Sequence, residues 1–145
     1  MAERQRPKEQ DPKVRCKNFE AVEENFTAEQ VKLEASRCLN CKNPRCVSGC
    51  PVNIQIPSFI EALKNDDLEK AGEIIRQSSM LPSVCGRVCP QERQCEGKCV
   101  LGIKSQPIAV GALERYVGDN SSAIQTEIKP TGKKVAIIGS GCAGI

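Results

Sequence analysis

The sequence predicts a small helical domain cross-linked by metal, followed by the start of a different domain. Three observations predict this. Short apolar segments at helical spacing follow helix-start residues from position 27 to about position 118. Aromatic residues make up only 3% of the chain and hydrophobic residues 39%, so an ordinary apolar core would lack large side chains. Eight of the ten cysteines lie in two short runs, and metal bound by them could supply the missing cross-links.

The first elements are an arm and a capped helix. Residues 1–26 are polar, are interrupted by prolines and show little periodicity, so we expect an extended N-terminal arm. Residues 27–30, Thr-Ala-Glu-Gln, match a capping box, which predicts a helix that presents Cys38 from its last turn. Asn40 and residues 43–44, Asn-Pro, indicate tight turns after it.

Further short helices are predicted between and after the cysteine runs. Pro57 can begin one helix, and residues 65–67, Asn-Asp-Asp, separate it from the next. A helical turn after Pro90 would place Cys95 and Cys99 four residues apart on one face. A last helix is predicted at about residues 107–118, beginning at a proline.

These segments define the domain organisation that we expect. Residues 27–120 form the helical domain, and residues 121–132, rich in turn-forming residues, form a linker. Residues 133–138, Lys-Lys-Val-Ala-Ile-Ile, are a β-branched run typical of a buried parallel strand. The sequence ends at residue 145, so residues 133–145 are expected to be the start of a truncated FAD- or NAD(P)-binding domain of the Rossmann type.

A glycine pattern supports that expectation. Gly139, Gly141 and Gly144 follow the predicted strand as G-x-G-x-x-G, which allows a tight turn and the approach of a pyrophosphate to a helix N-terminus. The helix and the acidic ribose partner that complete such a site do not follow within this sequence. We therefore expect cofactor binding at these glycines only in a full-length protein.

The two cysteine runs indicate the chemistry. They read Cys38-x2-Cys41-x4-Cys46-x3-Cys50-Pro and Cys85-x3-Cys89-Pro-x4-Cys95-x3-Cys99. Thiolates are soft ligands that select zinc, Cu(I) or iron–sulfur clusters. A run of four closing in Cys-Pro resembles the bacterial ferredoxin pattern, in which the fourth cysteine binds the other cluster of a pair. Two runs therefore predict two iron–sulfur clusters and a function in electron transfer.

The alternatives are a zinc-stabilised four-cysteine docking module, disulfides and buried apolar cysteines. Zinc sites usually pair one C-x2-C with another, whereas only one such spacing occurs here. Histidine is absent, which excludes mixed cysteine–histidine zinc sites and histidine-based catalysis within this chain. Cys16 and Cys142 lie outside the two runs, and neither is assigned a redox role.

Composition also limits partners and location. Lysines and arginines are scattered and aromatic residues are few, so no nucleic-acid interface is expected. No apolar run is long enough to span a membrane, and the N-terminus is charged rather than signal-like. We expect a cytoplasmic protein, in which clustered cysteines more often bind metal than form disulfides.

Several specific motifs lie along nearly the whole chain. The motifs are Gln10-Asp11-Pro12-Lys13-Val14-Arg15, Arg37-Cys38-Leu39-Asn40-Cys41, Cys46-x3-Cys50-Pro51-Val52, Cys85-Gly86-Arg87-Val88-Cys89-Pro90-Gln91-Glu92, Cys95-Glu96-Gly97-x-Cys99, Pro107-Ile108-Ala109-Val110-Gly111-x-Leu113-Glu114-Arg115-Tyr116 and Val135-Ala136-Ile137-Ile138-Gly139-Ser140-Gly141. They resemble the N-terminal domain of the NADPH-dependent glutamate synthase small subunit family. The same domain is similar to the amino-terminal region of dihydropyrimidine dehydrogenase.

The resemblance implies an all-α helical ferredoxin domain with two 4Fe–4S clusters, ahead of FAD- and NADPH-binding domains. It implies electron transfer between that flavin and a large catalytic partner subunit, as in L-glutamate synthesis. Carried over, one cluster would take Cys38, Cys41, Cys46 and Cys99. The other would take Cys50, Cys89, Cys95 and a non-cysteine ligand at the position of Glu114.

Spacing and resemblance disagree about the eighth ligand. Eight clustered cysteines divide into two groups of four, which would make Cys85 a ligand. The family pattern leaves Cys85 unused and puts Glu114 in its place. The chain also departs from the family at Cys142, where proline is common. Backbone N–H groups make the phosphate contacts there, so that departure leaves the predicted turn plausible.

Overall fold

A computed structural model of the chain describes residues 3–122 and 131–140. This part of the chain contains the α-helices α1 (Pro12–Arg15), α2 (Ala28–Ser36), α3 (Arg45–Gly49), α4 (Ile56–Lys64), α5 (Leu68–Arg76), α6 (Pro82–Val88) and α7 (Val110–Asn120). Short 3₁₀ helices at Gln91–Arg93, Glu96–Lys98 and Val100–Ile103 connect α6 to α7. Apart from an isolated bridge between Glu9 and Glu23, the described residues form no β-structure, so the predicted helical class is confirmed for them.

The helix-start signals act as the sequence predicts. In α2, the Thr27 side chain accepts from the Gln30 backbone N–H, and the Gln30 side chain accepts from the Thr27 N–H. The Asp67 side chain caps α5 by accepting from the Lys70 N–H. The last helix begins three residues later than predicted, because Ala109 keeps a non-helical conformation.

The core lies between α2, α4, α5 and α7. Its most deeply buried large residues include Phe59, Ile75, Leu113 and Val117, each with 0% of its surface exposed. The side chains of four cysteines pack against the margin of this core. They are Cys38, Cys46, Cys50 and Cys99. The core is small and mostly aliphatic, and the cysteines extend it on one side.

The N-terminal segment lies against the helices instead of projecting from them. The Arg4 guanidinium forms an ion pair of 2.6 Å with the buried carboxylate of Glu96. The Gln5 backbone N–H donates to Glu34 Oε2 at 2.7 Å. Farther along, Asp11 and Pro12 start the short helix α1, which we did not predict. Buried partners thus hold the start of this segment in place.

Residues 133–138 form no strand in the described structure. Val135, Ile137 and Ile138 are 85%, 63% and 100% exposed, respectively. A parallel strand needs neighbouring strands for its backbone groups and cover for its side chains, and the described part of the chain provides neither. Gly139 has a φ of 116°, a conformation that favours glycine, whereas Gly141 and Gly144 lie outside the described residues.

Within residues 3–122 and 131–140, no helix is long and apolar enough to cross a membrane.

Candidate metal centres

The first candidate site is a cavity lined by four cysteines. They are Cys38, Cys41, Cys46 and Cys99. Cys38 follows α2, Cys46 lies within α3, and Cys99 lies between two 3₁₀ helices. Apolar side chains of Ile56 and Ile60 complete much of the wall. The cavity therefore combines soft ligands with a lining that limits access of water.

The thiols of this site interact electrostatically. Burial raises the pKa of Cys46 to about 11, and the neighbouring thiols of Cys38 and Cys99 add to the shift. Burial also raises the pKa of Cys38, with further increases from Cys41 and Cys99, whereas the nearby Lys64 lowers it. The four sulfur atoms are thus close enough to influence one another. A metal would offset this cost, because a coordinating thiol is deprotonated by the ion's own charge.

The second candidate site brings together ligands from four parts of the chain. Cys50 ends α3, Cys89 ends α6, Cys95 precedes a 3₁₀ helix, and Glu114 lies on α7. Burial raises the pKa of Cys89 to about 11 and that of Cys95 to about 12. Both pKa values are raised further by Cys50 and Glu114. These four groups therefore share one electrostatic environment.

Glu114, the carboxylate of the second site, is buried and lacks a hydrogen-bond partner at one oxygen. It is 5% exposed, and its Oε1 has no hydrogen-bond partner. Burial raises its pKa to about 7. An unpaired buried carboxylate costs folding free energy, so native structures usually pair it or bind it to metal. The orphaned oxygen beside three thiols fits a metal ligand.

Cys85 also lies at the second site. It is on α6 one turn before Cys89, whose pKa it raises through a charge interaction and a hydrogen bond. Its Sγ lies 3.7 Å from the hydroxyl oxygen of Ser79. The structure therefore places both candidates for the eighth ligand, Glu114 and Cys85, near Cys89.

Close contact between α6 and α7 brings Glu114 to this site. At Gly86, an added Cβ would lie 2.6 Å from the Arg115 backbone nitrogen, so only glycine fits without a shift. Gly118 likewise lies against Ser83 at the start of α6. We did not identify these packing glycines from the sequence, because their partners are distant along the chain.

Cys95 and Cys99 do not share a face, and our prediction that they would was wrong. The 3₁₀ helix after Pro90 stops at Arg93, so the turn that starts there does not continue through both cysteines. Cys99 itself is extended, with φ −64° and ψ 127°. Cys99 lines the cavity of the first candidate site, whereas Cys95 interacts electrostatically with Cys50 and Glu114 of the second.

The remaining described cysteine, Cys16, is exposed and lies in the arm, and its Sγ contacts the Lys13 carbonyl oxygen at 3.3 Å.

Among residues 3–122 and 131–140, no three cysteine, aspartate or glutamate side chains converge closely enough to hold a single metal ion. The thiols of the first site surround a cavity rather than a point.

Comparison with known proteins identifies the family. The family described as dihydropyrimidine dehydrogenase domain II, 4Fe–4S cluster, matches residues 15–126, a range that includes every candidate ligand of both sites. The chain belongs to this family. Membership in the dihydropyrimidine dehydrogenase domain II family makes it a 4Fe–4S domain and favours iron–sulfur chemistry over a zinc module.

Curated relatives agree with the resemblance seen in the sequence. The chain is 40% identical to the glutamate synthase [NADPH] small chain of Escherichia coli K12, over 96% of its own length. It is 37% identical to the corresponding small chain of Halomonas elongata, over 98% of its length. It is also 38% identical to the NAD-dependent dihydropyrimidine dehydrogenase subunit PreT of Escherichia coli, over 83%. The chain covers only 30%, 31% and 30% of these relatives, respectively.

The predicted resemblance is therefore confirmed. The chain carries an iron–sulfur electron-transfer domain of the kind found in oxidoreductases related to the glutamate synthase small chain.

Proposed function

We propose that the chain is an electron relay that holds two 4Fe–4S clusters. The observation that carries the proposal is the division of the candidate ligands into two groups. The first group is Cys38, Cys41, Cys46 and Cys99 around one cavity. The second is Cys50, Cys89, Cys95 and Glu114, which interact electrostatically. Glu114 is preferred over Cys85 because its buried oxygen has no other partner.

The residues around the sites suit this role. A bound 4Fe–4S cluster exchanges single electrons, at a potential that depends on charge, hydrogen bonding and exposure to solvent. Ile56 and Ile60 cover the first site, and the buried Cys95 lies at the second. Most of the candidate thiols lie at helix ends or beside 3₁₀ helices, so an ordered backbone positions them. The two sites share α3, which contains Cys46 and ends at Cys50.

In the parent protein, we propose that the relay connects the FAD of an NAD(P)H-oxidising domain with a catalytic partner. The names and lengths of the relatives support this, because two are small chains of an NADPH-dependent glutamate synthase and each is about three times as long as this chain. By analogy, the partner is the large catalytic subunit of a glutamate synthase-like enzyme that makes L-glutamate. The cytoplasm, where FAD and NADPH are available, is the proposed location.

The domain arrangement that we propose is the one that the sequence predicts. Residues 1–26 form the arm, residues 27–120 the cluster domain and residues 121–132 a linker. Residues 133–145 would begin the FAD- or NAD(P)-binding domain, in which Gly139, Gly141 and Gly144 approach a pyrophosphate. The exposed apolar residues at 133–138 support this, because they would be covered by such a sheet.

Metal analysis of the anaerobically purified chain tests the proposal. Two 4Fe–4S clusters require about eight irons and about eight acid-labile sulfides per chain, with broad visible absorption. About four of each would leave one cluster and contradict the two-site assignment. Stoichiometric zinc without sulfide in a folded, colourless sample would contradict the electron relay and favour the zinc-stabilised alternative.

A further inference from the structure

Lys64 is a cation held beside the first candidate site. It is the last residue of α4, and its side chain is 24% exposed. Its Nζ donates a hydrogen bond of 3.0 Å to the backbone carbonyl oxygen of Cys38, in the segment that follows α2. The carboxylate of Glu61 lies 3.5 Å from the same Nζ, but its side chain is 45% exposed. Water therefore screens the carboxylate more than the ammonium group.

The charges at the second site balance differently. Buried Glu96, next to Cys95 in the chain, pairs with Arg4 at 2.6 Å, which offsets its charge. Glu114, the proposed fourth ligand, takes the place of a thiolate, so each site has four anionic ligands. The partly buried ammonium group of Lys64 at the edge of the first site is therefore a charge that distinguishes the two sites.

We propose that Lys64 raises the reduction potential of the cluster at the first site above that of the cluster at the second. The inference rests on the proposed function, since it assumes a cluster at each site. One-electron reduction adds one negative charge to a site and neither makes nor breaks a bond. A fixed ammonium group at the first site stabilises that added charge, and its partial burial limits screening by water and salt.

The physical consequence is a direction for electron flow within the domain. An electron supplied by a reduced flavin, or by dithionite in a titration, comes to rest at the first site. The second site, with the lower potential, is then the intermediate step. Lys64 contacts the backbone of Cys38 rather than a metal ligand atom, so it acts as a positioning and tuning residue.

The test is a dithionite titration of the anaerobically purified chain, followed by electron paramagnetic resonance, for Lys64→Gln, Lys64→Arg and Lys32→Gln. Glutamine keeps an N–H donor but removes the charge, and arginine keeps both. Lys32 is the matched control, since it is 60% exposed, pairs with Asp66 at 2.6 Å and produces the same change of net charge. In Lys64→Gln, the higher of the two midpoints is expected to fall by about 59 mV, a tenfold change for one electron. Lys64→Arg and Lys32→Gln should leave both midpoints unchanged.

Other results overturn the inference. These are unchanged midpoints in Lys64→Gln, equal shifts of both midpoints, a shift in Lys32→Gln of the same size, or a shift in Lys64→Arg equal to that in Lys64→Gln. Loss of one cluster in Lys64→Gln but not in Lys64→Arg would assign the charge to cluster binding instead. Absence of iron and sulfide from the unmodified chain would refute the proposed function itself. Unchanged midpoint potentials in a Lys64→Gln chain that holds both clusters would refute only the role of Lys64.

Discussion

Three buried carboxylates show how differently single residues can serve this fold. Glu34 is completely buried and accepts hydrogen bonds from Arg37 and from the backbone N–H groups of Gln5 and Ala109. Glu96 also has partners, including an ion pair with the arm. Glu114 alone among the three has a buried oxygen without a partner. Since burial of a carboxylate is costly without such partners, the exception points to a ligand.

Substitution of single residues can identify the eighth cluster ligand. We expect Glu114→Ala either to lose one cluster, which lowers iron from about eight to about four per chain, or to convert it by loss of a single iron, which leaves about seven, because it removes the proposed oxygen ligand. We expect Cys85→Ser to retain both clusters. Iron, sulfide and electron paramagnetic resonance spectra would be measured together.

Glu73→Ala is the control for this experiment, since Glu73 is an exposed carboxylate on α5 that pairs with Lys70. It should leave the iron content unchanged. If iron instead halves in Cys85→Ser and stays constant in Glu114→Ala, the count of cysteines was the better guide and the transfer from the family was wrong.

At the scale of elements, two buried carboxylates connect the arm to α7 through hydrogen bonds. Glu34 accepts from the Ala109 N–H at 2.8 Å, and Glu96 accepts from the Gly111 N–H at 3.1 Å, so both satisfy free donors at the start of α7. The same two carboxylates hold Gln5 and Arg4 of the arm. Since α7 contains Glu114, the arm indirectly supports the second site.

We therefore expect Arg4→Gln to destabilise the folded chain by about 1–3 kcal/mol, because it leaves the buried charge of Glu96 without its partner. Chemical denaturation of the metal-loaded chain measures the loss, and the second cluster should be released faster than the first. Arg6→Gln is the matched control, since Arg6 is exposed and lies two residues away. An equal loss of stability in both variants would indicate an effect of net charge rather than of the ion pair.

Local signals in the sequence predict some elements well and others poorly. The capping box at Thr27 and the proline at the start of α4 act within a few residues, so both helices were predicted correctly. The short helices α3 and α6 were not predicted, because tertiary contacts rather than local signals stabilise such short segments. The same limit applies to the sites. Spacing predicts that the thiols bind metal together, but the separation of Cys95 from Cys99 depends on backbone turns that spacing does not reveal.

At the scale of the whole molecule, both candidate sites connect α3, which has no buried residue, to other elements. The first joins the end of α2, α3 and the segment around Cys99. The second joins α3, α6 and α7. The aliphatic core is confined mainly to α2, α4, α5 and α7, so α3 and the 3₁₀ helices depend most on the cysteines. Metal should therefore stabilise the fold as well as carry electrons.

Removal of the clusters tests this dependence. A structural metal contributes roughly 10 kcal/mol or more in zinc-finger peptides, which is comparable to the whole stability of about 5–15 kcal/mol of an ordinary domain. We therefore expect chelation with oxidation to cause a large loss of helical signal in far-ultraviolet circular dichroism. Reconstitution with iron and sulfide should restore it, which separates metal loss from irreversible damage. An apo chain that keeps its full helicity and melts cooperatively would show that packing between α2, α4, α5 and α7 is sufficient, and that the clusters serve electron transfer alone.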